Sequence, residues 1–268
     1  MLWLYQLPLW LLCCVVVLPG IAMSMIGLYV VRARGLMLSP DDNSTAGFAH
    51  AFIGVLYAVA LGLMVVGVQG SFSEVDTAVM NEANLAGDMY RDVEGLAEPM
   101  RSQLQDLLLA YVDSVIEREW PALASGAFSD EQTWRLAAEL ARAIITYQPT
   151  TDVELVVFAE VLDGMNLLLD QRRERLHLGT SGVGMVTWSV VLIGAFITIG
   201  VALFYNTSSA RAHYWLVGMM AAMYGLMIFL IVAMDHPLWG DFSVSPDAFV
   251  EVQANLQRWE AEAAGINR

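Results

Sequence analysis

The chain has 268 residues, 57% of them hydrophobic and 15% charged, with a mean hydropathy of +0.55. Soluble domains average about 45–50% apolar and about 25% charged residues, so this composition excludes an ordinary soluble enzyme. The formal charge of −15 excludes a nucleic-acid binder, because a polyanion needs Arg and Lys to replace its counterions.

All 13 basic residues are Arg, a bias that points to a GC-rich bacterial genome. Residues 1–31 are apolar apart from Gln6, and no basic residue precedes Arg32. A signal peptide needs a basic start and a small-residue cleavage site, so this stretch predicts a retained membrane helix over 9–31, kinked at Pro19. Cys13 and Cys14 lie side by side within it. With no second pair in the chain they make neither a zinc site nor a disulfide framework, and they read as filler or an acylation site.

Arg32 to Ala46 reads as a short loop. From Gly47 to Gly70 the chain has no Asp, Glu or Arg, and 24 helical residues reach roughly 36 Å, enough to cross a hydrocarbon core of about 30 Å. No proline follows before Pro99, while Val75, Val79, Ala83, Ala86, Tyr90 and Val93 keep a three-to-four-residue period. The spacing predicts one helix that leaves the membrane and continues to about Leu96. Residues 71–178 carry 20 acidic residues against 8 Arg, a net −12, and form the extramembrane part.

Its punctuation is helical. Glu98-Pro99 suits a helix start, and Met100, Leu104, Leu107, Leu108, Tyr111 and Val115 share one face as far as Trp120-Pro121. Ser129 with Gln132 predicts a capping box before a helix that faces inward through Trp134, Ala137, Leu140, Ile144 and Tyr147. Thr151 with Glu154 predicts another, opening the stripe Leu155, Phe158, Leu162, Met165, Leu169, Leu176. Gly182 to Tyr205 reads as a third span and Tyr214 to Met234 as a fourth. Pro237 and Gly240 stop that last span before an amphipathic helix from Phe249 to Ala264.

The predicted fold is an all-α membrane protein. It has four transmembrane helices and an extramembrane helical bundle whose first and last helices extend the second and third spans. The segments are 1–46, 47–70, 71–178, 179–234 and a tail from 235. Four spans put both termini and the acidic bundle on one side. The short loops hold Arg32, Arg34 and Arg211, so the positive-inside rule favours an extracytoplasmic bundle, against Arg172, Arg173 and Arg175 just before the third span.

Several positions taken together resemble the bestrophin-like family of four-span membrane proteins. They are Asn43 with Ala46-Gly47, Gly54-Val-Leu-Tyr57, Glu82-Ala83, Tyr90-Arg91, Glu119-Trp120-Pro121, Arg172 to Leu176, Pro237 with Gly240, and Val244-Ser-Pro-Asp. The likeness covers nearly the whole chain and departs only in an aromatic displaced to Trp239. Bestrophins are pentameric anion channels whose second span lines the pore, so the resemblance implies a homo-oligomer in a lipid bilayer that passes ions.

Polar residues in a span are costly in lipid and mark places to look. His50, Gly54, Tyr57, Leu61, Met64 and Val68 share one face of the second span, which is either a pore or gate face or a helix-packing face. Asn43, Glu82, Tyr90, Arg91, Trp120, Pro121, Pro237 and Gly240 are structural candidates. Arg91 is expected to pair with Glu94 or with a carboxylate on a neighbouring helix. Arg172, Arg173 and Arg175 are candidates for anionic lipid headgroups. Asp235 and His236 read as a solvated helix end or a titratable pair.

No phosphate loop, nucleophile elbow or His-Glu-x-x-His occurs, so no enzyme activity, cofactor or metal is expected. Two functions remain: an oligomeric ion channel, or a non-conducting scaffold or sensor whose acidic bundle binds a partner. A −12 domain at a pore mouth would concentrate cations rather than anions.

Overall fold

The computed structural model describes residues 2–266. Its elements are helical throughout the described residues: α1 (Leu9–Ala33), α2 (Asp42–Asp92), α3 (Met100–Ser114), α4 (Trp120–Ala124), α5 (Glu131–Thr146), α6 (Asp152–Thr180), α7 (Met185–Leu203), α8 (Ala210–Met234) and α9 (Asp247–Ile266). Short 3-10 turns stand at Leu2–Leu4 and Val93–Gly95, and a π-helical turn at Val115–Glu119. Four stretches are long and apolar enough to cross a membrane: α1, α2, α8, and Asp152–Leu203, which comprises α6 and α7. The chain forms an integral membrane protein of the predicted all-α class.

α2 is unbroken from Asp42 to Asp92, which follows from the lack of proline inside it. Residues 181–184 separate α6 from α7, and Gly182 and Gly184 stand in that break. Pro19 lies inside α1 and the helix continues on both sides of it. Chain contacts divide the molecule into two compact units. One comprises Trp3–Gly70 and Gly182–His236, the other Ser71–Ser181 and the chain from Pro237 onward.

In the first unit α1 packs along α8. A Cβ on Gly225 would stand 3.2 Å from the Val17 Cα, tighter than ordinary contact, so glycine eases the close approach of the two helices. Leu28, Ala202 and Val217 form a small buried cluster from α1, α7 and α8. Most of the remaining surface is apolar, as a lipid-facing unit requires.

The second unit holds the main core. Val75, Val79, Ala83, Ala86 and Val93 of α2 pack in it with Leu104, Leu108, Tyr111 and Val112 of α3, Leu140 and Ile144 of α5, and Val161, Met165 and Leu168 of α6. Phe249, Val252 and Leu256 of α9 close it. Thr151 caps α6 by accepting from the Glu154 N–H, as predicted. The cap of α5 is Asp130 rather than Ser129: its side chain accepts from the Thr133 N–H at 3.1 Å. The α6 stripe is also rotated from the predicted one. Val161, Met165, Leu168 and Arg172 are buried and Leu155 is exposed, because two arginines take core positions that an apolar count passes over.

Candidate functional site

Tyr57, Leu61 and Val68 are 7%, 4% and 4% exposed, and they point into the first unit's own packing. The Tyr57 hydroxyl donates to the Val191 carbonyl at 2.7 Å, and its ring meets Tyr224 edge-on with centroids 5.3 Å apart. A Cβ on Gly194 would come within 2.4 Å of that ring. Gly54 and Met64 are half-buried on the same side. The pore-lining reading of the His50-to-Val68 face is therefore corrected to a packing face. Its glycine, aromatic and aliphatic pattern serves close helix approach within the unit.

The opposite side of α2 is uncovered. Phe52, Val55, Val59, Leu63 and Val66 are 58–69% exposed and recur every three or four residues, so they form one apolar line. Beyond the apolar stretch the same spacing runs through Gly70, Ser73, Thr77, Asn81, Asn84 and Asp88, all exposed.

Near the start of α2, the Asn43 Nδ2 donates to the Asn206 carbonyl at 2.7 Å, and the Asn206 N–H donates to Asn43 Oδ1 at 3.1 Å. This reciprocal pair ties the first loop to the turn before α8. His50 lies beside it, with its ring 5.7 Å from that of Tyr205. Its buried Nδ1 has no hydrogen-bond partner among the described residues. A pocket of about 410 Å³ opens there, lined in part by Asn43, His50, Tyr205 and His213. His213 Nε2 lies 2.9 Å from the Ala202 carbonyl, so it carries the proton, and Nδ1 accepts from Arg32 Nη1 at 3.0 Å.

At the far end of α8 Asp235 is only 8% exposed, which overturns the solvated-end reading. Its Oδ1 accepts the Val183 N–H at 2.5 Å in the break between α6 and α7. Its Oδ2 takes the Tyr5 hydroxyl at 3.3 Å and Trp188 Nε1 at 3.4 Å, with His236 Nδ1 also at 3.3 Å. Its backbone-anchoring bond was missed because its partner N–H lies 52 residues away and carries no side-chain signal.

In the second unit four charged side chains are fully buried together. Arg172 makes a two-pronged pair with Glu119 at 2.6 and 2.7 Å. Arg175 reaches Glu82 at 2.6 and 3.0 Å and Glu119 at 2.8 Å. Tyr111 donates its hydroxyl to Glu82. Aromatic faces close the cage: Arg172 Cζ lies 5.2 Å from the Trp134 ring centroid, and Arg175 Cζ lies 5.2 Å from that of Trp120 and 5.8 Å from that of Phe249. Burial opposes ionisation of Glu119, but the charges and hydrogen bonds of Arg175 and Arg172 outweigh it and hold its carboxyl below the usual range. For Arg175, burial likewise works against the charge, and the carboxylates of Glu82 and Glu119 more than restore it.

The headgroup role expected of Arg172 and Arg175 is therefore corrected: neither side chain touches solvent or lipid, and both neutralise core carboxylates. Arg173 points outward and pairs with Asp170. The sequence signal that could have separated them is the period. Arg172 and Arg175 follow Met165 and Leu168 at core spacing, whereas Arg173 does not.

The other positions singled out in the sequence make local packing and hydrogen-bond contacts. Trp120 donates from Nε1 to the Val244 carbonyl at 3.1 Å, and Pro121 stands in the first turn of α4. The π-turn ending at Glu119 adds a residue to the helix and lets neighbours Glu119 and Trp120 both be buried. Tyr90 stacks on Trp259 of α9, and Arg91 lies over the same indole at 5.5 Å. Arg91 pairs with Asp88 one turn back rather than with Glu94. The Pro237 carbonyl accepts the Val244 N–H at 2.8 Å, closing a loop in which Gly240 has φ +74°.

A family model described as Bestrophin-like domain matches residues 16–249. The fold is similar to that of a variant of a bacterial bestrophin homologue from Klebsiella pneumoniae, with a TM-score of 0.68 at 11% identity over 91% of this chain and 97% of that one. The homologue solved by Zn-SAD phasing gives a TM-score of 0.67 at 12% identity over 90% and 96%. No curated protein matches the chain.

Proposed function

The chain belongs to the bestrophin-like family of membrane proteins, and from that premise we propose that copies of it assemble around an axis lined by the uncovered line of α2 and pass small cations. A four-span subunit is too thin to enclose an aqueous path alone, so conduction requires assembly. The observation that carries the reading is the line itself. No other part of the described chain covers Phe52, Val55, Val59, Leu63 or Val66, and polar positions succeed them at the same spacing on one unbroken helix.

An apolar ring of such side chains acts as a constriction that conducts when wetted and closes when it dries. Beyond it, Ser73, Thr77, Asn84 and Asp88 supply groups that hydrate or attract an ion. The preference for cations rests on charge. Residues 71–178 carry a net −12, which raises the local concentration of cations and repels chloride.

The test is flux from liposomes containing the purified protein, measured in parallel for potassium and chloride. Potassium flux should exceed chloride flux, and Leu63→Ser with Val66→Ser should raise it by easing the wetting of the constriction. Absence of both fluxes with the intact assembly would refute conduction and leave the family fold as a scaffold. Chloride flux alone would refute the charge argument.

A further inference from the structure

The sequence placed the lipid-headgroup site at the arginines preceding the third span, where two of them are now seen to be core residues. A different arginine meets the requirements. A groove of about 550 Å³ runs along the first unit between α1 and α8. Ile21 and Met25 line it from α1, Trp215, Gly218 and Met219 from α8, and Arg211 stands in its wall in the first turn of α8. From Arg211 to Ala222, which lines its other end, is about three helical turns or roughly 16 Å. That length matches one leaflet of a hydrocarbon core of about 30 Å.

Two observations make this more than an apolar face. The first is charge. Arg211 has no carboxylate within 4.0 Å among the described residues, and neither do Arg32 and Arg34 on the same side. Arg32 has a half-buried guanidinium that donates to the unprotonated nitrogen of His213, a neutral partner that leaves its charge in place. In a chain of net charge −15 whose second unit ion-pairs most of its arginines, this end keeps its positive charge unspent. The second is shape. Gly218 sits so close to Met25 that a Cβ there would lie 2.5 Å from the methionine methyl, so the glycine opens the groove beside a flexible side chain. Exposed Trp215 stands near the head of the groove, at the depth where indoles favour the headgroup region.

The geometry points to a binding site for an anionic phospholipid of the leaflet on the short-loop side, with its phosphate on Arg211 and one acyl chain laid between α1 and α8. The site is independent of conduction, since it needs neither a pore nor an ion.

Native mass spectrometry of the full chain released from nanodiscs with equal phosphatidylglycerol and phosphatidylcholine tests it. The wild-type protein should retain phosphatidylglycerol about fivefold over phosphatidylcholine, the order of one arginine–headgroup contact. Arg211→Gln changes an exposed side chain and should abolish the preference, while Arg34→Gln, an exposed arginine outside the groove, should keep it. Ala222→Phe should reduce the retained copies of both lipids. No preference in the wild-type protein would overturn the site. So would equal losses in Arg211→Gln and Arg34→Gln, which would mean diffuse surface charge. Disulfide cross-linking of two copies through Met219→Cys would show that a second chain fills the groove, and would also overturn it.

Discussion

Replacing Glu119 with Gln takes one negative charge from a buried set of two arginines and two glutamates, and leaves the set with a net positive charge. Glu119 is the member that touches both guanidiniums, through contacts of 2.6, 2.7 and 2.8 Å. Breaking a buried pair by removing one partner costs about 3–5 kcal/mol, because the other charge stays in a medium that cannot solvate it. Here Arg172 would keep one neutral amide acceptor, the Tyr111 hydroxyl at 3.4 Å and the rings of Tyr111 and Trp134, with a donor NH2 facing its second nitrogen and no counter-charge.

The double replacement Glu119→Met with Arg172→Met removes a neutral pair and leaves Arg175 on Glu82. It should cost less than Glu119→Gln alone, since no uncompensated charge remains. The sign with pH follows from the depressed carboxyl. A group whose folded value lies below its unfolded one contributes stability above the unfolded value, about pH 4, and that contribution is lost as pH falls through the folded value. The assay is thermal unfolding in detergent followed by tryptophan fluorescence, which Trp120 and Trp134 report from the rim of the cluster. A Glu119→Gln loss under about 1 kcal/mol would refute the reasoning, as would a double variant no better than the single one. Either would mean that water reaches the cluster.

Tyr57→Phe removes the hydroxyl bond to Val191 and should cost about 1 kcal/mol in thermal stability while leaving ion flux unchanged. A large change in flux would return Tyr57 to the conduction path. Asp235→Ala strips the acceptor from the Val183 N–H and should cost about 1–3 kcal/mol, read as faster hydrogen exchange in residues 181–184. Unchanged exchange there would show that water substitutes for the carboxylate. Gly179→Val would set a Cβ 2.1 Å from Leu238 Cδ1, and should destabilise the second unit by about 1–3 kcal/mol in the same melting assay.

Long-period features were legible in the sequence because they depend only on local spacing and on the length needed to cross a bilayer. The unbroken α2, the four apolar spans, the Thr151 cap and the helical second unit all follow from that. What faced what was not legible. A helix in lipid is apolar on every side, so composition could not say which face of α2 is packed and which is bare, and the Gly54–Tyr57 side proved to be the packed one. Nor does a charge on its own reveal its partner. Arg172 and Arg173 are neighbours of the same type, yet one is buried on Glu119 from 53 residues away and the other lies at the surface. The sequence determined which segments are helices and which of them meet lipid, since those depend on hydrophobicity along the chain. Only the tertiary structure decided which charges are neutralised in the core and which remain for a ligand, since pairing joins residues far apart in sequence at a cost set by burial.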